Sequence, residues 1–154
     1  KARASFFCVG ENIIKHPEIF ELLKSQNHFL ASHTYNHLSG WSSGNLSYFK
    51  NVEKAAKLVP SNYFRPPYGR ITPLQYKVLK NKYKIVMWDV LSGDFDPYIH
   101  PQTCFENVIR NARSGSIIVL HDSLKAKKNV AYCLPKILDY YSQKGFSFEC
   151  FDGL

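Results

Sequence analysis

Residues 5–9 read Ser5-Phe6-Phe7-Cys8-Val9, an apolar run with no polar alternation after its first residue. A strand covered on both faces, as in a parallel sheet, has this text, because neither face must be polar for solvent. Working outward, further strand-like runs occur at His28 to Ser32, Tyr63 to Phe64, Lys84 to Trp88, Ser116 to Leu120 and Ser147 to Phe151. Helix signals fill the intervals. Pro17 opens Glu18-Ile19-Phe20-Glu21-Leu22-Leu23 at a first turn, where the missing N–H is harmless. Ser47 to Val59 places Phe49, Val52, Ala56 and Val59 at helical spacing. Thr72 caps a helix from Pro73 through Leu74, Val78 and Leu79, and Thr103 to Ala112 and Val130 to Lys144 complete the set, the last stopped by Gly145.

Alternating β and α text predicts an α/β fold with parallel strands joined by right-handed crossovers, since a parallel partner is reached only across the sheet face. The 154 residues fit one domain spanning 1–154. A closed β/α barrel usually needs at least about 200 residues, so the expected architecture is a barrel short of one or two βα units. The text opens without Met, and core-strand text begins straight after Lys1-Ala2-Arg3-Ala4. The expectation is a stretch from the C-terminal part of a longer domain.

Composition narrows the class. Hydrophobic residues make up 45% and charged residues 21%, a globular balance far from disorder. No apolar run nears the roughly 18 residues of a membrane span, and no signal-peptide text opens the sequence. Collagen, coiled coil, membrane-spanning chain and low-complexity tail are excluded. The net charge of +8 is dispersed over Lys50, Lys54 and Lys57, over Lys77, Lys80 and Lys82, and over Lys125, Lys127 and Lys128. Helix-spaced lysines are the wet faces of amphipathic helices. With no RNP, zinc-finger or helix-turn-helix text beside them, a nucleic-acid partner is not expected. Cys8, Cys104, Cys133 and Cys150 contain no C-x-x-C pair, so they are read as thiols, and the compartment stays open.

In parallel α/β folds the loops at the C-terminal strand ends carry the chemistry. After the second strand comes Ser32-His33-Thr34-Tyr35-Asn36-His37, whose histidines, four apart on one expected helical turn, point the same way and suit one metal ion. After the third comes Arg65-Pro66-Pro67-Tyr68-Gly69, a rigid turn with a backbone N–H for a substrate oxygen. After the fourth comes Trp88-Asp89-Val90-Leu91-Ser92-Gly93-Asp94-Phe95-Asp96, and after the fifth Leu120-His121-Asp122, which offers a general acid or base. A His pair, an Arg, an Asp and a further His on one rim fit metal-assisted hydrolysis.

The ordered set Ala4-Ser5-Phe6-Phe7-Cys8-Val9-Gly10, S-H-T-Y-N-H, R-P-P-Y-G, W-D-V-L-S-G-D-F and V-L-H-D resembles the polysaccharide deacetylases of the NodB-homology type, carbohydrate esterase family 4. The resemblance covers nearly all of residues 4–151. It implies a distorted (β/α) barrel that lacks its first βα unit here. It also implies a divalent metal, most often zinc, and removal of acetyl groups from N-acetylated sugars in chitin, peptidoglycan or a similar polymer. An extracellular or cell-envelope location follows from the same resemblance. By motif, His33 and His37 are implied as metal ligands and Tyr68 as the donor of an N–H to the oxyanion. Arg65 is implied to orient the catalytic-base Asp, Leu120 to line the acetyl pocket, with Trp88 on the substrate side. His121 is implied as the general acid, tuned by Asp94.

The family's first motif, T-F-D-D-G, is absent from the 154 residues, and with it the metal-binding and general-base acids. Leu91 replaces an acid common in the fourth motif, and Phe95 stands where Trp is usual. The stretch alone is therefore expected to be inactive. A second reading is a non-catalytic glycan-binding relative, motivated by the missing acids and by Tyr35, Trp41 and Tyr98, expected to be exposed.

Overall fold

The structure, a computed structural model, describes residues 2–153. By internal contacts the chain divides into two compact units, Arg3–Met87 with the residues from Glu149 onward, and Trp88–Phe148.

The first unit runs β1 (Ser5–Cys8), α1 (Gly10–Lys15), α2 (Pro17–Ser25), β2 (Phe29–Ser32), α3 (Asn45–Ala56), β3 (Tyr63–Phe64), α4 (Pro73–Leu79) and β4 (Lys84–Ile85). Its strands form one sheet in the order β1-β2-β3-β4, and every pairing is parallel, as the alternating text predicts. β1, read as fully buried, is half-buried along its length because it lies at the edge of this sheet. On one sheet face Tyr48 and Val52 of α3 pack with Phe64 and Leu79. The buried stripe of α3 is Tyr48, Val52 and Ala55, one residue off the expected Phe49 and Ala56.

Two expectations fail in this unit. α1 had no sequence signal. It starts where Gly10 and Glu11 donate to the carbonyls of Thr34 (3.0 Å) and Tyr35 (2.7 Å), long-range partners that no local pattern reveals. A Cβ on Gly10 would sit 2.8 Å from the Tyr35 ring, and Lys54 Nζ lies 3.5 Å from that ring's centroid. Tyr35 is accordingly half-buried rather than exposed. The expected strand Ser147 to Phe151 is not formed, and the described residues end in a 3-10 turn, Phe151–Gly153. Phe151 instead docks its ring among Phe7, Phe29 and Tyr63, with centroids 6.0, 6.2 and 5.7 Å away, and its N–H goes to the Ser5 hydroxyl. Arg3 and Asp152 form an ion pair beside it.

A 3-10 turn at Gly40–Ser42 is fixed to the entry of α4. Thr72 and Gln75 make a reciprocal capping box, and the fully buried Gln75 amide also donates to the Gly40 carbonyl at 2.9 Å. Gly40 N–H donates to the Arg70 carbonyl at 3.1 Å. A Cβ at Gly40 would fall 2.6 Å from that carbonyl oxygen and closer still to the Gln75 amide oxygen. Gly40→Ala is therefore expected to lower stability by about 2–3 kcal/mol in chemical denaturation. Gly44→Ala, with nothing within 4 Å of its Cβ, should stay within about 0.5 kcal/mol of the parent. Equal effects at both positions would contradict this packing.

The second unit runs β5 (Val90–Leu91), α5 (Pro101–Asn111), β6 (Ile118–Val119) and α6 (Lys127–Gln143), with β5 and β6 parallel. The expected strand over Lys84 to Trp88 is cut short: only Lys84–Ile85 pairs with β3, and pairing resumes in β5 with a different partner. Cys133, Ile137 and Tyr141 line one face of α6 and pack with Cys104, Val108 and Val90. Cys104 and Cys133 are fully buried thiols, and burial pushes Cys133 up to about 11, so both behave as small apolar residues. Gly145, at φ 78°, ends α6 in the left-handed conformation that its position predicts. Among the described residues no helix is long and apolar enough to cross a membrane.

Candidate functional site

In the first unit the segment after β2 is not the helical turn that the His spacing implied. Thr34 (φ 64°) and His37 (φ 59°) are left-handed, and the chain reverses as a loop. Three hydrogen bonds hold the loop, two of them to Asn51. Thr34 Oγ1 accepts from Leu38 N–H at 3.1 Å, Asn51 of α3 accepts from Tyr35 N–H at 2.8 Å, and Asn51 donates to Asn36 at 2.8 Å. The two rings still meet, His33 and His37 standing edge to face with centroids 4.9 Å apart. His33 Nδ1–H donates to the Arg65 carbonyl at 2.6 Å. That bond sets the tautomer and puts the ring's lone pair on Nε2, the arrangement typical of a metal-ligating imidazole.

Arg65 takes its backbone place by donating N–H to Ser32 O at 3.1 Å. Its guanidinium lies 4.0 Å from the Phe7 ring centroid and donates to the carbonyls of Val86 (3.2 Å) and Met87 (3.0 Å). Burial lowers its pKa to about 10, so it stays charged near neutrality. Pro66 and Pro67 are buried and lead into a 3-10 turn, Pro67–Gly69, in which Tyr68 is left-handed (φ 59°, ψ 10°). The turn's two hydrogen bonds are donated by Gly69 and Arg70, at 3.0 Å each, and leave the Tyr68 N–H out of them. The Tyr68 ring is 61% exposed and packs on His37 at 4.7 Å. Thr34, His37 and Tyr68 are three of the four described non-glycine residues with positive φ. Each holds roughly 1 kcal/mol or more of strain, and such strain clusters at working sites.

In the second unit Asp94 is fully buried and collects donors. His121 Nδ1–H donates to Oδ1 at 2.9 Å, His121 N–H to Oδ2 at 2.6 Å, and the Ser92 hydroxyl to Oδ1 at 2.8 Å. Burial alone would push the Asp94 carboxyl up. The bonds from the His121 ring, the His121 N–H and Ser92 outweigh it and hold the pKa below the ordinary carboxylate value. Gly93, at φ 82°, turns the chain between Ser92 and Asp94. Asn129 of α6 fixes the loop by donating to the carbonyls of Asp94 (3.0 Å) and Asp96 (3.3 Å), and Asn107 of α5 donates to Ser92 O at 2.9 Å. Phe95 stands edge-on to the His121 ring at 5.1 Å. His121 borders a cleft of about 300 Å³ shared with Asp122, Leu124, Lys127 and Val130. Leu120 and Trp88 are half-buried.

The expected site residues thus fall into two groups, His33, His37, Arg65 and Tyr68 in the first unit and Trp88, Asp94, Leu120 and His121 in the second. Ser92, Asn107 and Asn129 were not foreseen as holders of Asp94. Asn129 is 35 residues from its acceptor, and a lone Asn on a helix gives no sequence signal. His33 and His37 fit as two ligands of a tetrahedral metal, one imidazole already oriented, but among the described residues no group of three His, Cys, Asp or Glu converges. Trp41 and Tyr98 are exposed as expected.

The family model described as polysaccharide deacetylase matches residues 1–85. A peptidoglycan-N-acetylglucosamine deacetylase of Bacillus cereus is 28% identical over 96% of this chain and 73% of its own length. Chitin deacetylase 2 of Saccharomyces cerevisiae is 28% identical over 90% of this chain and 48% of its own length. Among solved structures, the Bc1960 peptidoglycan N-acetylglucosamine deacetylase superposes with a TM-score of 0.90 at 27% identity, covering 96% of this chain and 72% of that one. The α/β fold with parallel strands is that of these deacetylases. The chain spans about half to three quarters of the length of these relatives.

Proposed function

Because the chain belongs to the polysaccharide deacetylase family, we propose that the protein it represents hydrolyses the acetamide of N-acetylated sugars in a cell-wall or chitin-like polymer, at the cell envelope or outside the cell. The observation that most supports this is the His121–Asp94 pair, an imidazole whose Nδ1–H is held at 2.9 Å by a buried carboxylate kept in its charged form. Amines leave poorly unless protonated, and an imidazole so held has Nε2 as its proton-delivering atom. His121 hands that proton to the departing sugar amine, and Asp94 stabilises the imidazolium before the transfer, as in other His–Asp pairs. Tyr68 N–H donates to the acetyl oxygen as it gains charge. Leu120 contacts the acetyl methyl, and Trp88 lies on the substrate side.

His33 and His37 would hold a divalent metal, zinc by the family resemblance, with a third ligand from the family's first motif. The metal supplies Lewis acidity toward the acetamide carbonyl. Arg65 fixes His33 through its carbonyl and orients the base from the same motif. Residues 1–154 then form one NodB-like domain lacking that motif's βα unit, and the stretch alone is inactive, with two histidines for the metal and no base.

The test is acetate release from an acetylated chito-oligosaccharide, by the 154 residues alone and by the same residues preceded by a βα unit bearing T-F-D-D-G. Release by the longer chain alone is expected. Release by the bare stretch refutes its inactivity, and silence in both refutes the deacetylase reading.

A further inference from the structure

The buried face of α6 is made at helical spacing by Asn129, Cys133, Ile137 and Tyr141. The last three join the core of the second unit, and the position that opens the stripe is polar. At 4% exposed, Asn129 gives up the solvation of a whole carboxamide, and an apolar residue there would serve both the helix and its core better. A local rule broken in this way marks a residue kept for a site.

The contacts of Asn129 give the reason. Its Nδ2 donates to the carbonyls of Asp94 (3.0 Å) and Asp96 (3.3 Å), the residues on either side of Phe95. A carboxamide nitrogen carries two protons, so one side chain supplies both bonds. The stretch so gripped is the one that meets the His121 ring. The Asp94 carboxylate accepts from Nδ1–H at 2.9 Å, and the Phe95 ring stands edge-on to the imidazole at 5.1 Å. The imidazole's hydrogen bond and its aromatic contact thus come from adjacent residues. Gly93, just before them at φ 82°, turns the chain without stiffening it.

We infer that Asn129 is a positioning residue for the general acid: by gripping the backbone on both sides of Phe95, it keeps the Asp94 carboxylate and the Phe95 ring aligned with the His121 imidazole and so aims Nε2. The inference rests on the deacetylase reading for the destination of the proton, whereas the aim of the ring is a property of the second unit itself. Asn129 touches no reacting atom and acts through Asp94 and Phe95. Without its amide two carbonyls lose their donor, so the loop moves to find another and the carboxylate moves with it. The Nδ1 proton then loses its fixed acceptor, and both ring tautomers become populated. Proton delivery is felt only in the transition state, so the loss falls on kcat and not on KM.

The experiment reads Asn129→Ala in two ways. In the 154-residue chain, long-range proton–nitrogen NMR spectra distinguish a protonated ring nitrogen from one with a lone pair. They are recorded at about pH 8.5, well above the ordinary imidazole value. The signals of His121 are those missing from His121→Gln. The parent is expected to carry the proton on Nδ1 alone, and Asn129→Ala to share it between Nδ1 and Nε2. In the chain completed with the βα unit, Asn129→Ala should lower kcat about 10-fold and leave KM within about twofold, a smaller loss than deleting the imidazole. Ile137→Val, further along the same buried stripe, should leave both readouts at the parent level. Asn129→Ser keeps one donor and makes the same test by a milder change if the alanine variant does not fold. A parent ring already shared between tautomers, an Nδ1 proton that stays fixed in the Asn129 variants, a loss confined to KM, or an equal change in Ile137→Val overturns the inference. Absence of turnover by the completed parent overturns the deacetylase reading, and the tautomer spectra then decide the positioning by themselves.

Discussion

Asp94→Ala is expected to lower stability by about 3–5 kcal/mol, the scale for removing one partner from a buried charged cluster. The substitution strands the His121 ring N–H, the His121 backbone N–H and the Ser92 hydroxyl, which all point at the lost carboxylate. No water replaces an acceptor at a position with no exposed surface without rearrangement. Asp94→Asn keeps an acceptor oxygen and should cost less, about 2 kcal/mol. The two variants also differ from the parent in acid. The folded-state pKa of Asp94 is depressed, so the unfolded chain takes up the proton more readily than the folded one. The contribution of Asp94 is therefore fully present above about pH 4, the ordinary carboxylate value, and is lost as pH falls through the lower folded value. Urea midpoints measured from pH 7 down to pH 2 by Trp88 fluorescence, in a Trp41→Phe background, report the unit that contains Asp94. An acid transition in the parent that Asp94→Asn leaves unchanged would contradict the assignment.

The second large effect separates two histidine roles. In the chain completed with the βα unit, His121→Ala should reduce turnover by roughly 10²-fold or more, the usual contribution of a positioned acid, while zinc content stays at the parent level. His33→Ala should strip zinc, because it deletes the imidazole that the Arg65 carbonyl orients at 2.6 Å. Metal analysis after dialysis, run beside the acetate assay, distinguishes the two. Zinc lost from His121→Ala and retained by His33→Ala would reverse the assignment.

The parallel strands were legible because β2 and β3 are short apolar runs flanked by helix caps, and those cues are local. The cap at Thr72, though not its partner Gln75, and the stop at Gly145 were legible for the same reason. The His33–His37 contact was foreseen by the wrong geometry. Spacing of four is a helical cue, whereas the loop brings the rings together through two left-handed residues and an Asn from α3. Loop torsions set by distant partners leave no periodic trace. The end of the chain misled for a related reason. Ser147 to Phe151 has strand text, but the apolar side chain of Phe151 finds three aromatic neighbours while its N–H is satisfied by a serine hydroxyl. Tertiary packing overrode local propensity there.

The Arg65 residue ties its own loop to two neighbouring segments through separate atoms. Its carbonyl sets the His33 ring, its N–H meets Ser32, and its guanidinium ties the end of β4 through Val86 and Met87. Loop grafting between relatives must respect that linkage. A His-bearing loop transplanted by itself would arrive without the carbonyl that aims it, so the smallest exchangeable cassette in this unit is the trio of loops around Arg65, moved together.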